Sequence, residues 1–187
     1  SGSQPACKPY LQTVTDGTVT WQMAAPATSY AMQVDTGANE VVIDSTDLTG
    51  FFQACFAMTN TFGGTAPQNV HIHSATPGGC YNQGYLLAAG SRIEIQGGDV
   101  QGCISPGCSG VFINNGAGAF VILSGVNFHN GGGASVITGT GVTGLQMTGN
   151  VFGIGGTNSV TIGASNTFQS WISNFCGNRY PLCALSN

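Results

Sequence analysis

The chain has 187 residues, enough for one ordinary domain, and only 5% of them are charged, against roughly 25% in typical soluble domains. Its three cations, Lys8, Arg92 and Arg179, cannot neutralise a run of phosphates, which excludes nucleic-acid binding and gives no support for an anionic membrane surface. Apolar residues make up 42%, so a core can form, yet no apolar run approaches the ~20 residues of a membrane span.

In chain order, Ser1-Gly2-Ser3 has no initiator Met and no apolar segment behind it, and reads as a processed chain, a cloning remnant or a fragment. Thr13 to Trp21 is two β-favouring runs around Asp16-Gly17, a hairpin signal. Strands are expected at Ala31–Val34 and Glu40–Asp44. Leu48 to Met58 has a helical look with Asp47 as cap, weakened by Gly50 and the pair Phe51-Phe52. Asn69 to His73 alternates again.

From residue 90 the pattern repeats. Gly110–Ile113 then Phe120–Phe128, Ala134–Ile137 then Leu145–Phe152, and Ser159–Ile162 then Phe168–Phe175 are three similar blocks. Asn127, Asn150 and Asn174 recur 23 and 24 residues apart, and Asp99 lies 28 before Asn127. A short strand cannot bury its apolar face alone, whereas stacked coils bury it continuously. The expected fold is therefore all-β, a right-handed parallel β-helix over 61–178. A small β-rich leader over 1–60 precedes it and a tail over 179–187 follows. Asn127, Asn150 and Asn174 are expected to form a hydrogen-bonded ladder at a coil corner.

Seven cysteines leave at least one unpaired within the chain. Cys103-Ile-Ser-Pro-Gly-Cys108 can close a local disulfide, because Pro-Gly turns the chain back. Cys176 and Cys183 could pair with each other or with Cys7. The cysteines lack the pair-of-pairs spacing of a zinc site.

The best pair of carboxylates is Glu94 and Asp99. Arg92, Glu94 and Gln96 face outward together while Ile93 and Ile95 face in. They form either an acid/base or glycan-contact patch, or an ordinary solvated face. Tyr81 and Tyr85, in a polar aromatic loop, are glycan candidates beside Arg92 and Glu94. His71 and His73 share one strand face. No metal or other cofactor is expected, and those two histidines are the ligands if a metal binds. The Gly-x-Ser-x-Gly elbow and the phosphate-binding Gly-x-x-x-x-Gly-Lys loop are both absent.

Thr13-Val14-Thr15-Asp16-Gly17-Thr18-Val19-Thr20-Trp21-Gln22 resembles a segment common in bacteriophage tail spikes and tail fibres; the usual upstream Pro-x-Trp is reduced to Pro9-Tyr10. The coil pattern is also shared by phage spikes and pectate-lyase-like enzymes. The resemblance implies a homotrimeric, extracellular virion tail protein. It would contact other tail proteins and a host surface polysaccharide, without nucleic-acid binding or membrane insertion. A β-helical polysaccharide depolymerase using Glu94 and Asp99, and a secreted β-helical adhesin, are the alternative readings.

Overall fold

The computed structural model describes residues 13–15, 20–22, 30–50, 52–101, 103, 105, 107–114, 120–129, 134–139, 141–153, 160–163, 166–176 and 185–186. Strands β1 (Thr13–Thr15) and β2 (Thr20–Gln22) pair antiparallel as the expected hairpin, and Asp16 and Gly17 lie outside the described residues.

The remaining strands wind as a parallel β-helix. Each coil contributes one strand to each of three faces. The first face is a seven-stranded sheet of β3 (Tyr30–Val34), β6 (Ala54–Met58), β9 (Gln83–Leu87), β12 (Ser109–Ile113), β15 (Ala134–Thr138), β18 (Val160–Thr161) and β21 (Leu185–Ser186). The second is a six-stranded sheet of β4 (Asn39–Asp44), β7 (Gln68–His73), β10 (Ser91–Gln96), β13 (Val121–Ser124), β16 (Thr143–Thr148) and β19 (Thr167–Ile172). The third face is shorter. It comprises β5 (Asp47–Thr49) and β8 (Thr76–Gly78), then β11 (Asp99–Val100), β14 (Asn127–Phe128), β17 (Val151–Phe152) and β20 (Phe175–Cys176).

The coil starts earlier than the expected boundary at 61. β3 and β4, inside the expected leader, already pair parallel with β6 and β7. Leu48 to Met58 is not a helix. It is β5, a corner and β6, because Ala54 to Met58 is buried on both sides, and a two-sided apolar run suits a strand here. At the other end, β21 lies in the expected tail and pairs parallel with β18.

Period-two alternation fills the interior. Across the six-stranded sheet Ile43, Ile72, Ile95, Leu123, Met147 and Trp171 occupy one column. Phe128 and Phe152 stack with centroids 5.1 Å apart, and Phe152 and Trp171 stack at 5.6 Å. A fully buried side chain of this size contributes about 1.5–3 kcal/mol. Stacking like on like gives every coil the same cross-section, so the next coil finds the same surface to cover.

The corner after each strand of the second face is also built alike. Ser45, Ser74, Gly97, Gly125, Gly149 and Ser173 all take positive φ, between 48° and 64°. A single left-handed residue turns the chain by a sharp angle. Its amide reaches the strand of the next coil, as in Ser74 N–H to Gln96 O and Gly125 N–H to Thr148 O. The residue after it points inward. That inward position holds Asn150 and Asn174, which form the expected ladder. Asn150 Nδ2 donates to Asn174 Oδ1 at 2.9 Å and to Leu123 O at 2.9 Å, and Asn150 Oδ1 accepts from Val126 N–H at 3.0 Å. Asn127 is not in it. Asn127 lies opposite Val151, one position later, on the outer side of the corner. A second, unanticipated corner amide is Asn166, whose Nδ2 donates to Gly139 O at 2.7 Å and whose Oδ1 accepts from Val142 N–H.

Among the described residues two disulfides form, one local and one between coils. Cys103–Cys108 closes the expected local loop, with Cα atoms 5.8 Å apart. Cys55–Cys80, Cα atoms 5.6 Å apart, joins β6 to the corner before β9, one coil later. Cys7 and Cys183, and the side chain of Cys176, lie outside the described residues.

At the opposite corner Asp35 organises the turn between β3 and β4. Its Oδ1 accepts from Thr36 N–H at 2.7 Å and Thr61 N–H at 2.8 Å, and its Oδ2 from Gln33 Nε2 at 2.9 Å. Desolvation pushes its pKa up, but the backbone amides of Thr36 and Thr61 and their side chains outweigh it and hold the carboxyl far below the usual range. The folded chain therefore favours the carboxylate. That stabilisation is fully present above the ordinary aspartate value of about 3.9 and is lost as pH falls below it. Asp35→Ala is expected to lower the thermal midpoint at pH 7, and the gap from the parent should narrow in melts recorded progressively below about pH 4. A gap independent of pH would mean the charge is immaterial.

Candidate functional site

The outer face of the six-stranded sheet carries the densest chemistry among the described residues. Strand alternation sends Val70 and Ile72 inward and His71 and His73 outward. Parallel register then places Glu94 beside His71 and Asp44 beside His73, from the following and preceding coils. His71 Nδ1 lies 3.0 Å from Glu94 Oε2, and His73 Nδ1 lies 2.8 Å from Asp44 Oδ1. The two imidazole centroids are 6.3 Å apart. The side chains keep about a third or more of their surface in solvent, 39% for His71, 37% for His73 and 32% for Glu94. A ligand in water can therefore reach all three.

Beside this row lies a hollow of about 370 Å³, lined by His71, Arg92, Ile93, Glu94, Phe120 and Ile122. Phe120, immediately before β13, and Ile122 give it an apolar floor. Arg92 sits at its rim with a left-handed backbone, φ 54°. The same left-handed residue recurs at Asn69 and Glu40 in the two preceding coils, so it is a repeated element of the fold that supplies three successive polar side chains at one level. An apolar floor beside a guanidinium, a carboxylate and an imidazole can stack on the face of a sugar ring while bonding its hydroxyls.

The residues expected to bind glycan are divided by the fold. Arg92 and Glu94 come together in the hollow. Tyr85 does not: it is fully buried in β9, edge-on to Phe56 at 5.9 Å. Its position in the period-two pattern puts it inside, and burial raises its phenol pKa. Tyr81 lies half-buried at the corner before β9, where its backbone bonds Phe52 O and Ser105 N–H. Glu94 and Asp99 also separate. Glu94 stands on β10 against His71, while Asp99 follows the Gly97-Gly98 corner on β11, with its Oδ1 2.6 Å from His129 Nε2. Asn127 Nδ2 approaches the same His129 nitrogen at 2.9 Å. The pocket that His129 of this third-face cluster lines has a volume of only about 10 Å³.

Sequence reasoning missed Asp44, Phe120 and Ile122 as neighbours of His71 and Glu94. The signal was present: His71 and Glu94 are 23 residues apart, one coil. No family model matches the chain, and no curated protein or solved structure matches it. Fold and site thus define a class only, a parallel β-solenoid of about five turns with one chemically distinctive outer face. Among the described residues no helix is long and apolar enough to cross a membrane.

Proposed function

We propose that the chain is a structural component of a bacteriophage tail spike or fibre, and that the outer face of its six-stranded sheet binds a host surface glycan. The observation that carries the binding reading is the hollow itself: Phe120 and Ile122 as floor, with Arg92, Glu94 and His71 around it. The virion reading is supported by the β1–β2 hairpin segment and by a coil whose surface is polar through Gly, Asn and Thr rather than charge. Such spikes work as homotrimers. An exposed apolar strip near the last coils, with Val151 39%, Ile172 55% and Phe175 64% exposed, suits burial between subunits. Val151 and Phe175 are register neighbours, so the strip is continuous along the coil axis.

Binding without hydrolysis is favoured, because Glu94 and Asp99 stand on different faces and partner different histidines. Paired carboxylates must flank one glycosidic bond, about 5–10 Å apart. Sedimentation equilibrium of the purified chain is expected to give three times its 19.0 kDa mass. The same preparation should release no reducing ends from bacterial capsular polysaccharide. A monomer at micromolar concentration would contradict the spike assignment. Released reducing ends that disappear in Glu94→Gln would establish the depolymerase instead.

A further inference from the structure

We propose that His71, His73 and Glu94 form a binding site for one zinc ion on the outer face of the coil, with Asp44 orienting His73. Each of the three ligand residues offers an atom, and those atoms all lie within 4.8 Å of one another. A tetrahedral ion with bonds of about 2.0–2.1 Å holds its ligand atoms about 3.3 Å apart. His71 Nδ1 and Glu94 Oε2, at 3.0 Å, are already near that separation. The remaining separations, none above 4.8 Å, close by small side-chain adjustments, because terminal torsions are soft.

The backbone fixes the other degrees of freedom. His71 and His73 are two apart on β7, hence on one face, and Glu94 is the register neighbour of His71 on β10. The sheet therefore presents two imidazoles and a carboxylate from rigid strands rather than loops. Asp44 Oδ1 holds His73 Nδ1 at 2.8 Å, which leaves His73 Nε2 free to face the ion. This is the carboxylate–histidine–metal arrangement that fixes the tautomer and raises ligand basicity.

One divalent ion satisfies both imidazoles and Glu94 together. Imidazole with carboxylate suits zinc better than magnesium or calcium, which prefer all-oxygen sets. Three protein ligands leave a fourth position for water, on the solvent side.

This proposal does not depend on the chain's belonging to a virion. Its test is calorimetric titration of zinc chloride into the whole chain, stripped with chelator and with free thiols alkylated beforehand so that cysteines cannot compete. One zinc per chain is expected. His73→Ala and Glu94→Gln should each weaken binding at least about tenfold, and Asp44→Asn about 10–100-fold at unchanged stoichiometry. All three positions are on the surface, and circular dichroism will establish that each variant keeps its strands. His129→Ala, on the third face, should bind zinc like the parent. Absence of a saturable 1:1 site in the folded parent, or parental affinity in a folded His71→Ala/His73→Ala double variant, would overturn the assignment.

Discussion

Asn150→Leu is expected to destabilise the chain by about 3–5 kcal/mol, because several buried polar groups lose their partners together at about 1–3 kcal/mol each. Asn150 is fully buried. Its carboxamide satisfies Val126 N–H, Leu123 O and Asn174 Oδ1, and its own N–H bonds Asn174 Oδ1 at 3.0 Å. Leucine has a similar branched shape but strands an amide and a carbonyl at the corner of two coils. Asn150→Asp should do no better, since it keeps an acceptor but loses both donors and buries a charge. Asn127→Leu, one position along the corner on the next coil toward the N-terminus, should change stability by less than about 0.5 kcal/mol. Thermal melts of the two variants side by side decide the matter. Equal losses would mean the ladder is not where the register places it.

Gly98→Ala is the second large effect, expected at about 3–5 kcal/mol from backbone strain and overpacking combined. Gly98 occupies the same inward corner position as Ala75, Val126 and Asn150, with φ +83°, and a Cβ added there would lie 2.2 Å from Ala75 O. The obstacle is backbone of the adjacent coil, so nothing can swing aside. Gly125 is the informative contrast. It also has positive φ, but an added Cβ meets nothing within 4 Å, and serine already stands at that corner in three coils, as Ser45, Ser74 and Ser173. Gly125→Ser should therefore cost no more than about 1 kcal/mol. Urea unfolding of Gly98→Ala and Gly125→Ser that gave similar losses would refute this account of the corners.

These two corners also explain how far the sequence could be read. The recurrence of Gly-Asn and Gly-Val-Asn before Phe made the later coils visible. Aligning them by the letter Asn, however, slipped one coil by a residue. Gly125-Val126-Asn127-Phe128 and Gly149-Asn150-Val151-Phe152 align through their phenylalanines, which stack, and not through their asparagines. A one-residue slip moves a side chain to the other face, which is why Asn127 was expected in a ladder that Asn150 and Asn174 form without it. The same parity places Tyr85 inside β9, in register with Phe56 and Val111, where composition alone suggested a surface aromatic.

The first coils were harder to see because their spacing is uneven, 29 residues from Val42 to His71 but 23 from His71 to Glu94, and no asparagine marks their inward corner, which Ala75 and Gly98 occupy instead. Without them the Cys55–Cys80 bond, one coil apart, had no reason to be suspected. The outward set Arg92, Glu94 and Gln96, and the shared face of His71 and His73, were legible from alternation alone. What brought the two sets together was register between coils, which links residues 23 apart and requires the period to be known first.

The central functional claim is that the face crossed by β7, β10 and β13 is the recognition surface. It is tested most directly by binding the purified whole chain to an immobilised panel of bacterial capsular polysaccharides and lipopolysaccharides. The parent, an Arg92→Ala/Phe120→Ala double variant, and Thr49→Ala on the third face would be compared. The account predicts saturable binding to at least one polysaccharide, lost by tenfold or more in the double variant and retained in Thr49→Ala. Binding that the double variant keeps in full, or a folded parent that binds none of the panel, would contradict it.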